Sequence, residues 1–180
     1  MSSTSEVIIV EQFAQDNWAG ILLVSQRLKA STFLKRSKEE LVSYLSRYSS
    51  GSFIVRTSTH ELLTTIRKIV FGQKYTLPPN IEFDFSGYTP KEIRVLRVVA
   101  KIPLGHTMSY GEVAKKAGLK NAARFVGTVM RKNRFAPIIP CHRVVRADGK
   151  IGRYSISLEP VEGKKIKEWL IAQEKRVKVR

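Results

Sequence analysis

The sequence predicts a mixed α+β protein of two domains that meet near residue 88. Before that point, short apolar runs are separated by polar turns and by segments with helical periodicity, whereas residues 89–180 show helical periodicity over most of their length. Charge divides at the same place: residues 1–88 carry 10 Lys+Arg against 8 Asp+Glu, net +2, and residues 89–180 carry 22 against 7, net +15, which sum to the formal charge of +17. The second domain is therefore the expected binding region for a polyanion, most commonly nucleic acid.

Bulk features restrict the function classes. The single cysteine, Cys141, excludes an intramolecular disulfide and a zinc site built from several cysteines, and we expect neither a metal nor a cofactor. The chain has no apolar run of membrane-spanning length and no signal-peptide pattern, so a cytoplasmic location is expected, or a nuclear one in a eukaryote. Solubility or growth at high temperature is the other explanation of the charge, but it would more naturally add Glu together with Lys.

The first domain is expected to hold strands followed by helices. Two compact apolar runs, residues 7–10 and 21–24, predict strands. Capping boxes predict helices that begin at Ser37 and Ser58, because in each case a serine is followed three residues later by glutamate. Residues 81–85 alternate apolar and acidic side chains and predict a last strand.

The second domain opens with two helices marked by their caps. A capping box at Thr89, with proline in the next position, predicts a helix that ends near residues 102–105. Another box begins at Ser109 and predicts a short helix that Gly118 terminates.

A second short helix is predicted over residues 121–130, which gives residues 109–132 the spacing of a helix-turn-helix. Its small and basic residues can face outward together; they are Ala123, Arg124, Gly127, Thr128 and Arg131. Small residues would let the helix approach a DNA groove, and arginine would supply charge for phosphates and a planar group for a base. The alternative is an ordinary packed helix pair with solvated arginines.

The run Pro140-Cys141-His142-Arg143 carries the sharpest chemical signal. A thiol reacts as thiolate, which a neighbouring base or positive charge favours. Adjacent residues of an extended chain point in opposite directions, so a bend or a bridging water is required for His142 to act on Cys141. The alternative for a lone cysteine is an inert buried thiol.

A histidine that acts as a base is commonly held by a carboxylate, and the predicted final helix, about residues 161–175, offers Glu174. Glu174 is expected at the edge of an apolar face. That face consists of Ile166, Trp169, Leu170 and Gln173. The alternative for Glu174 is a solvent-exposed pair with Lys178. His60 and His106 are expected to be structural or exposed.

These motifs resemble those of the O6-alkylguanine-DNA alkyltransferases, also called the methylated-DNA--protein-cysteine methyltransferases. Besides the cysteine motif, the resemblance is carried by residues 109–114 (SYGEVA), 122–127 (AARFVG), 130–133 (MRKN), 152–155 (GRYS) and 167–170 (KEWL). It implies a small RNase H-like α/β domain over residues 1–88. It further implies a mostly helical DNA-binding and alkyl-transfer domain over residues 89–180, with an active-site loop at 138–145 and a basic tail at 175–180.

The resemblance also implies roles for single residues. Cys141 would accept the alkyl group, His142 would activate it through a water, and Glu174 would orient His142. Asn133 would be the hinge between the recognition helix and the active-site loop. Tyr110 would rotate a phosphate and protonate the leaving guanine.

Two further groups of residues take their roles from the same resemblance. Arg124 would enter the duplex where the damaged nucleotide has left, while the helix that carries it binds the minor groove. The residues expected to contact DNA beside Arg124 and Tyr110 are Ala123, Gly127, Thr128 and Arg131. The pocket over the flipped base would consist of Gly152, Arg153, Tyr154 and Ser155.

The implied activity is one irreversible transfer per molecule from O6-alkylguanine in duplex DNA, by a monomer. O4-alkylthymine as a substrate and cooperative binding along DNA are left open. Residues 156–168 are longer than the resemblance implies, with residues 159–163 as an apparent insertion. Three rivals are a helix-turn-helix regulator, an alkyltransferase-like protein that binds lesions without catalysis, and a Cys-His hydrolase.

Overall fold

The chain divides into two compact units in its computed structural model, which describes residues 6–152, 154 and 160–178. The first unit comprises the residues up to Ile69, Tyr75–Ser86 and Arg134–Ile138; the second comprises Val70–Lys74, Gly87–Asn133 and the residues from Ile139 onward. One piece of the first unit thus ends close to the boundary expected near residue 88. The chain nevertheless returns to that unit at Arg134–Ile138, which a single boundary does not describe.

The first unit is built on a four-stranded sheet in the order β3-β2-β1-β4. Its strands are β1 (Glu6–Ala14), β2 (Asn17–Val24), β3 (Arg27–Lys35) and β4 (Phe53–Thr57). β2 pairs antiparallel with both β1 and β3, and β4 runs parallel to β1. Helix α1 (Lys38–Ser46) packs on this sheet, and α2 (Glu61–Val70) follows β4 in the chain. The core between α1 and the sheet consists of Ile8, Val10, Leu22, Ala30, Leu41 and Leu45.

The strands predicted at residues 7–10 and 21–24 lie within β1 and β2, and α1 begins as its cap predicted. α2 begins later than the predicted Ser58 cap, because the imidazole Nδ1 of His60 accepts the hydrogen bond from the Leu62 amide at 3.1 Å. β3 and β4 had no prediction. β3 mixes lysine, serine and threonine with apolar residues and buries most of them, which hides the alternation that marks a strand.

The strand predicted at residues 81–85 is wrong. Only Phe83 forms a bridge, to Leu28. The Leu28 amide donates to the carbonyl of residue 82, and the amide of residue 84 donates to the Leu28 carbonyl, both at 2.8 Å. The alternation there serves an aromatic cluster instead, since the Phe83 and Phe85 rings lie 5.2 and 5.5 Å from the Phe135 ring, both edge to face.

Arg134–Ile138 is fixed within the first unit by hydrogen bonds as well as by Phe135. The Ser31 amide donates to the Arg134 carbonyl at 2.7 Å, and Ser31 Oγ donates to the Ala136 carbonyl at 3.0 Å. The Arg134 guanidinium donates to the carbonyls of Asp84 and Ser86 at 2.7 and 2.8 Å. The segment that precedes Cys141 is therefore anchored to β3 and to residues 84–86 of the first unit.

The second unit is mainly helical. It contains α3 (Pro90–Ala100), α4 (Tyr110–Lys116), α5 (Ala123–Lys132) and α6 (Pro160–Lys178), with two short parallel strands, β5 (Met108–Ser109) and β6 (Val144–Val145). The capping boxes predicted at Thr89 and Ser109 are both formed. α4 and α5 pack against each other across the turn that Gly118 opens with φ +71°, as a helix-turn-helix does. None of the described helices is long and apolar enough to cross a membrane.

Two helix boundaries and one helix face differ from expectation. α5 begins at Ala123 rather than residue 121, and residues 160–163, expected in an insertion, form the first turn of α6. Trp169 is 36% exposed, so the predicted inward face is wrong at that position. The buried side chains of α6 recur at i, i+3, i+4 and i+7: Lys167, Leu170, Ile171 and Glu174.

Candidate active site

Cys141 lies at the start of a 3-10 turn, Cys141–Arg143, that connects directly to β6. The Arg143 amide closes the turn by donating to the Pro140 carbonyl at 2.9 Å. Cys141 is only 3% exposed. The turn supplies the bend that an extended run lacks, so consecutive side chains no longer point to opposite sides.

The surroundings of the Cys141 thiol are polar although it is buried. The Asn133 side chain hydrogen-bonds the sulfur, the Tyr154 side chain lines the same cavity, and the Lys167 ammonium is close enough to act on the sulfur electrostatically. Burial raises the pKa of the thiol, and these three neighbours only partly offset the increase. Asn133 also donates from Nδ2 to the Ile139 carbonyl at 2.9 Å, which ties the end of α5 to the segment before the cysteine.

His142 is fully buried and is held by Glu174, whose Oε1 lies 2.8 Å from Nε2. Its other ring nitrogen, Nδ1, is buried and has no hydrogen-bond partner among the described residues. Burial lowers the pKa of His142 more than Glu174 raises it, so the ring is neutral near pH 7. When Nε2 carries the ring hydrogen and donates it in the hydrogen bond to Glu174, Nδ1 has the lone pair that a base needs.

Glu174 is at the centre of a buried charge cluster rather than at the edge of an apolar face. Arg143 donates to its two oxygens from Nε and Nη2, both at 2.8 Å, and a third guanidinium nitrogen donates to the Ile102 carbonyl at 2.5 Å. Burial alone would raise the pKa of Glu174, but His142 and Arg143 lower it to about 2. The alternative of a solvent-exposed Glu174 is wrong, since the residue is 1% exposed.

Lys167 is a site residue that was not predicted from the sequence. It is 1% exposed, donates from Nζ to the Val144 carbonyl at 2.6 Å, and lies 5.8 Å from the centre of the Tyr110 ring. Burial lowers the pKa of its ammonium, while the nearby Cys141 acts in the opposite direction. The available signal was helical spacing, because Lys167 precedes Glu174 by two turns on one face.

A small cavity of about 20 Å³ lies beside the thiol. It is lined by residues of α4, α5, the cysteine turn and α6, and by Tyr154 from the segment between β6 and α6: Tyr110, Gly127, Met130, Arg131, Cys141, Tyr154 and Lys167. Burial is the main cause that raises the pKa of Tyr110, and the adjacent sulfur raises it further, so the hydroxyl keeps its proton. Gly152 borders the same hydroxyl, since a Cβ there would lie 3.4 Å from it. The helix-turn-helix and the cysteine motif thus share one site.

The outward face of α5 is close to the one predicted. Ala123, Arg124 and Arg131 are exposed, and Gly127 and Thr128 are partly buried. Thr128 Oγ1 accepts a hydrogen bond from Arg131 at 3.1 Å and donates to the Arg124 carbonyl at 3.3 Å.

The remaining predicted site residues are Arg153 and Ser155, which lie outside the described residues. Of the predicted pocket, Gly152 and Tyr154 are described and lie beside the thiol cavity. His60 caps α2 and His106 is exposed, as expected of histidines outside the site.

Fold and site together define a helix-turn-helix domain with a buried cysteine that precedes a histidine held by a carboxylate. Residues 90–176 match the family model of the 6-O-methylguanine DNA methyltransferase DNA binding domain. A methylated-DNA--protein-cysteine methyltransferase of Methanothermobacter thermautotrophicus is 38% identical over 134 residues, 74% of this chain and 70% of that protein. One of Thermococcus gammatolerans is 30% identical over an alignment of 178 residues, 91% of this chain and 99% of the relative.

A solved structure extends the similarity to both units of the fold. The O6-methylguanine-DNA methyltransferase of the hyperthermophilic archaeon Pyrococcus kodakaraensis aligns with a TM-score of 0.69 and 26% identity, covering 93% of this chain and 98% of that one. The chain belongs to the methylated-DNA--protein-cysteine methyltransferase family.

Proposed function

We propose that this protein repairs duplex DNA by taking an alkyl group from O6 of guanine onto the sulfur of Cys141, once per molecule. The observation that carries the proposal is the environment of the chain's single cysteine. Its buried thiol is hydrogen-bonded by Asn133, shares a cavity with Tyr154 and precedes a histidine whose ring a buried carboxylate holds. Relatives that share 38% and 30% identity and carry the name of this activity support it.

Activation of the thiol begins from the protonated form, because burial raises its pKa. We propose that the proton passes from Sγ through one water to Nδ1 of His142, which is neutral and has its lone pair available. Glu174 then stabilises the imidazolium, while Asn133 and Lys167 stabilise the thiolate. The thiol would thus become nucleophilic chiefly when a substrate is present to drive the transfer.

The alkyl transfer is an in-line displacement. The bond from Sγ to the alkyl carbon forms as the bond from that carbon to O6 breaks, and the electron pair stays with guanine. Tyr110, whose raised pKa keeps its hydroxyl protonated, is the proposed proton donor to the departing base. The thioether product has no easy return path, so each molecule reacts once.

Access to O6 requires the nucleotide to leave the base stack, at a cost of roughly a few kcal/mol that is smaller for a badly paired lesion. The exposed Arg124 on α5 is the proposed occupant of the gap, and the small side chain of Ala123 suits close approach to the minor groove. Gly127, Thr128 and Arg131 are proposed as further DNA contacts on this helix.

The finer organisation is part of the same proposal. The sheet order β3-β2-β1-β4, with β4 parallel to β1, supports an RNase H-like first domain. Gly152, Arg153, Tyr154 and Ser155 are proposed to cover the flipped base. We propose a monomer that acts on DNA in the cytoplasm, or in the nucleus of a eukaryote.

The decisive experiment weighs the intact protein after incubation with excess duplex that contains O6-methylguanine. We expect one gain of one methyl group, roughly 14 Da, which the Cys141→Ser variant and an unmodified duplex both fail to give. No gain on the wild-type chain would contradict the proposal. Repeated product release without mass gain would indicate a hydrolase, and binding to an undamaged operator alone would indicate a regulator.

A further inference from the structure

Gly163, in the first turn of α6, lies against the backbone of Tyr154. A Cβ at this position would overlap the carbonyl oxygen of Tyr154 and lie 3.2 Å from its carbonyl carbon. The obstacle is backbone rather than the end of a flexible side chain, so any larger residue forces the helix and Tyr154 apart. Glycine in the interior of a helix is otherwise unfavourable, which makes this close approach the physical reason for its presence.

Tyr154 in turn connects this contact to the reacting atom. Its side chain is 3% exposed and lines the thiol cavity together with Cys141, and its ring stands edge to face with His142, with the ring centres 6.4 Å apart. From this position the Tyr154 side chain favours the thiolate over the thiol. A displacement of the Tyr154 backbone would therefore withdraw one stabilising contact from the nucleophile.

We propose that Gly163 is a positioning residue for alkyl transfer, because it lets the first turn of α6 lie against Tyr154 and so keeps the Tyr154 side chain in the cavity beside the Cys141 thiol. This inference rests on the proposed function in one respect, that Cys141 is the acceptor. It assigns to a residue expected in an inserted loop a part in setting the reactivity of the cysteine.

The sign of the stability change separates this inference from an ordinary helical glycine. In an open helix, Gly→Ala raises the thermal midpoint, because alanine has the higher helix propensity. Here the Gly163→Ala variant should lower the midpoint. Lys165→Ala, at an exposed position in the same turn, is the matched control and should leave the midpoint and the reactivity near the wild-type values.

The reactivity test follows carbamidomethylation of the single cysteine by iodoacetamide as a function of pH, and single-turnover methyl transfer from saturating O6-methylguanine duplex. Gly163→Ala should move the midpoint of the pH profile upward and slow methyl transfer about tenfold, the change that corresponds to one pKa unit of lost thiolate stabilisation. Tyr154→Phe, which removes only the hydroxyl, should move the pH midpoint in the same direction. Affinity for the duplex should stay within about twofold of wild type for Gly163→Ala and Lys165→Ala.

A Gly163→Ala protein with a raised thermal midpoint and wild-type pH and rate profiles would overturn the inference. If that variant does not fold, Tyr154→Phe still decides, because an unchanged pH midpoint would show that the hydroxyl does not act on the thiol. The iodoacetamide profile does not depend on DNA repair. Failure of the proposed function, seen as no methyl uptake by the wild-type chain, is thus distinguishable from failure of this inference.

Discussion

The carboxylate of Glu174 is the charge whose removal should change the protein most. It accepts hydrogen bonds from two nitrogens of Arg143 at 2.8 Å each and lies 2.8 Å from Nε2 of His142. Glu174→Gln preserves the size of the side chain but leaves the buried Arg143 guanidinium without its counter-ion. Breaking one side of a buried ion pair costs about 3–5 kcal/mol of the free energy of unfolding.

The pKa of Glu174 gives a second and independent magnitude. The decrease from 4.5 to about 2 on folding corresponds to about 3 kcal/mol of stability above pH 4.5. Because the folded-state pKa is the lower one, this stability is present above the unfolded pKa and is lost as the pH falls toward about 2. By pH 3, about 2 kcal/mol of it should be gone.

The assay is urea unfolding of wild type and Glu174→Gln at a series of pH values from 7 to 3. The difference in unfolding free energy should be largest at pH 7 and shrink by about 2 kcal/mol at pH 3, because the comparison cancels the carboxylates that both chains share. Glu168→Gln, an exposed carboxylate on the same helix whose pair with Lys164 spans 3.7 Å, is the control and should change stability little. A difference that stays constant with pH would refute the reasoning.

Three other predictions concern DNA and the hinge. Arg124→Ala should slow repair in duplex DNA far more than reaction with free benzylguanine, because its proposed role needs a base stack; single-turnover rates on both substrates measure this. Asn133→Ala should slow methyl transfer about tenfold and lower the unfolding free energy by about 1–3 kcal/mol, since it loses bonds to the Cys141 sulfur and the Ile139 carbonyl. Binding to duplex DNA, measured by anisotropy, should weaken steeply and linearly on a log-log scale with salt.

Each of these has a control that isolates its cause. Arg94→Ala removes an exposed arginine from α3 and should leave the ratio of the two repair rates unchanged. Equal losses on both substrates for Arg124→Ala would contradict its proposed role of filling the gap left by the flipped nucleotide. An Asn133→Ala protein with normal transfer would show that the hinge bond has no part in reactivity. A flat salt profile would argue against residues 89–180 as the binding surface.

Local signals predicted the helices of the second unit well. The caps at Thr89 and Ser109 and the stop at Gly118 depend on neighbouring residues only, so the chain itself contains the information. β3 escaped prediction because its buried lysine, serine and threonine hide the alternation of a strand, and β4 because its identity depends on pairing with the distant β1. The run at residues 81–85 was misleading because its alternating phenylalanines pack on Phe135, far along the chain.

The site shows the same division between local and distant information. Cys141 and His142 form a contiguous motif, and their importance could be inferred without coordinates. Lys167 could not be separated from the many solvated lysines, because only its packing under the thiol cavity distinguishes it. The partnership of Arg143 with Glu174 likewise depends on how α6 meets the cysteine turn.

The central claim is that Cys141 accepts one alkyl group and then is spent. The most direct measurement titrates a fixed amount of protein with O6-methylguanine duplex, then digests the protein and locates the methyl group by tandem mass spectrometry. Methyl transfer should stop at one equivalent per chain, with the methyl group on Cys141 alone, and a second addition of duplex should transfer no more. A methyl group on another residue, or guanine released well beyond one equivalent, would contradict the account.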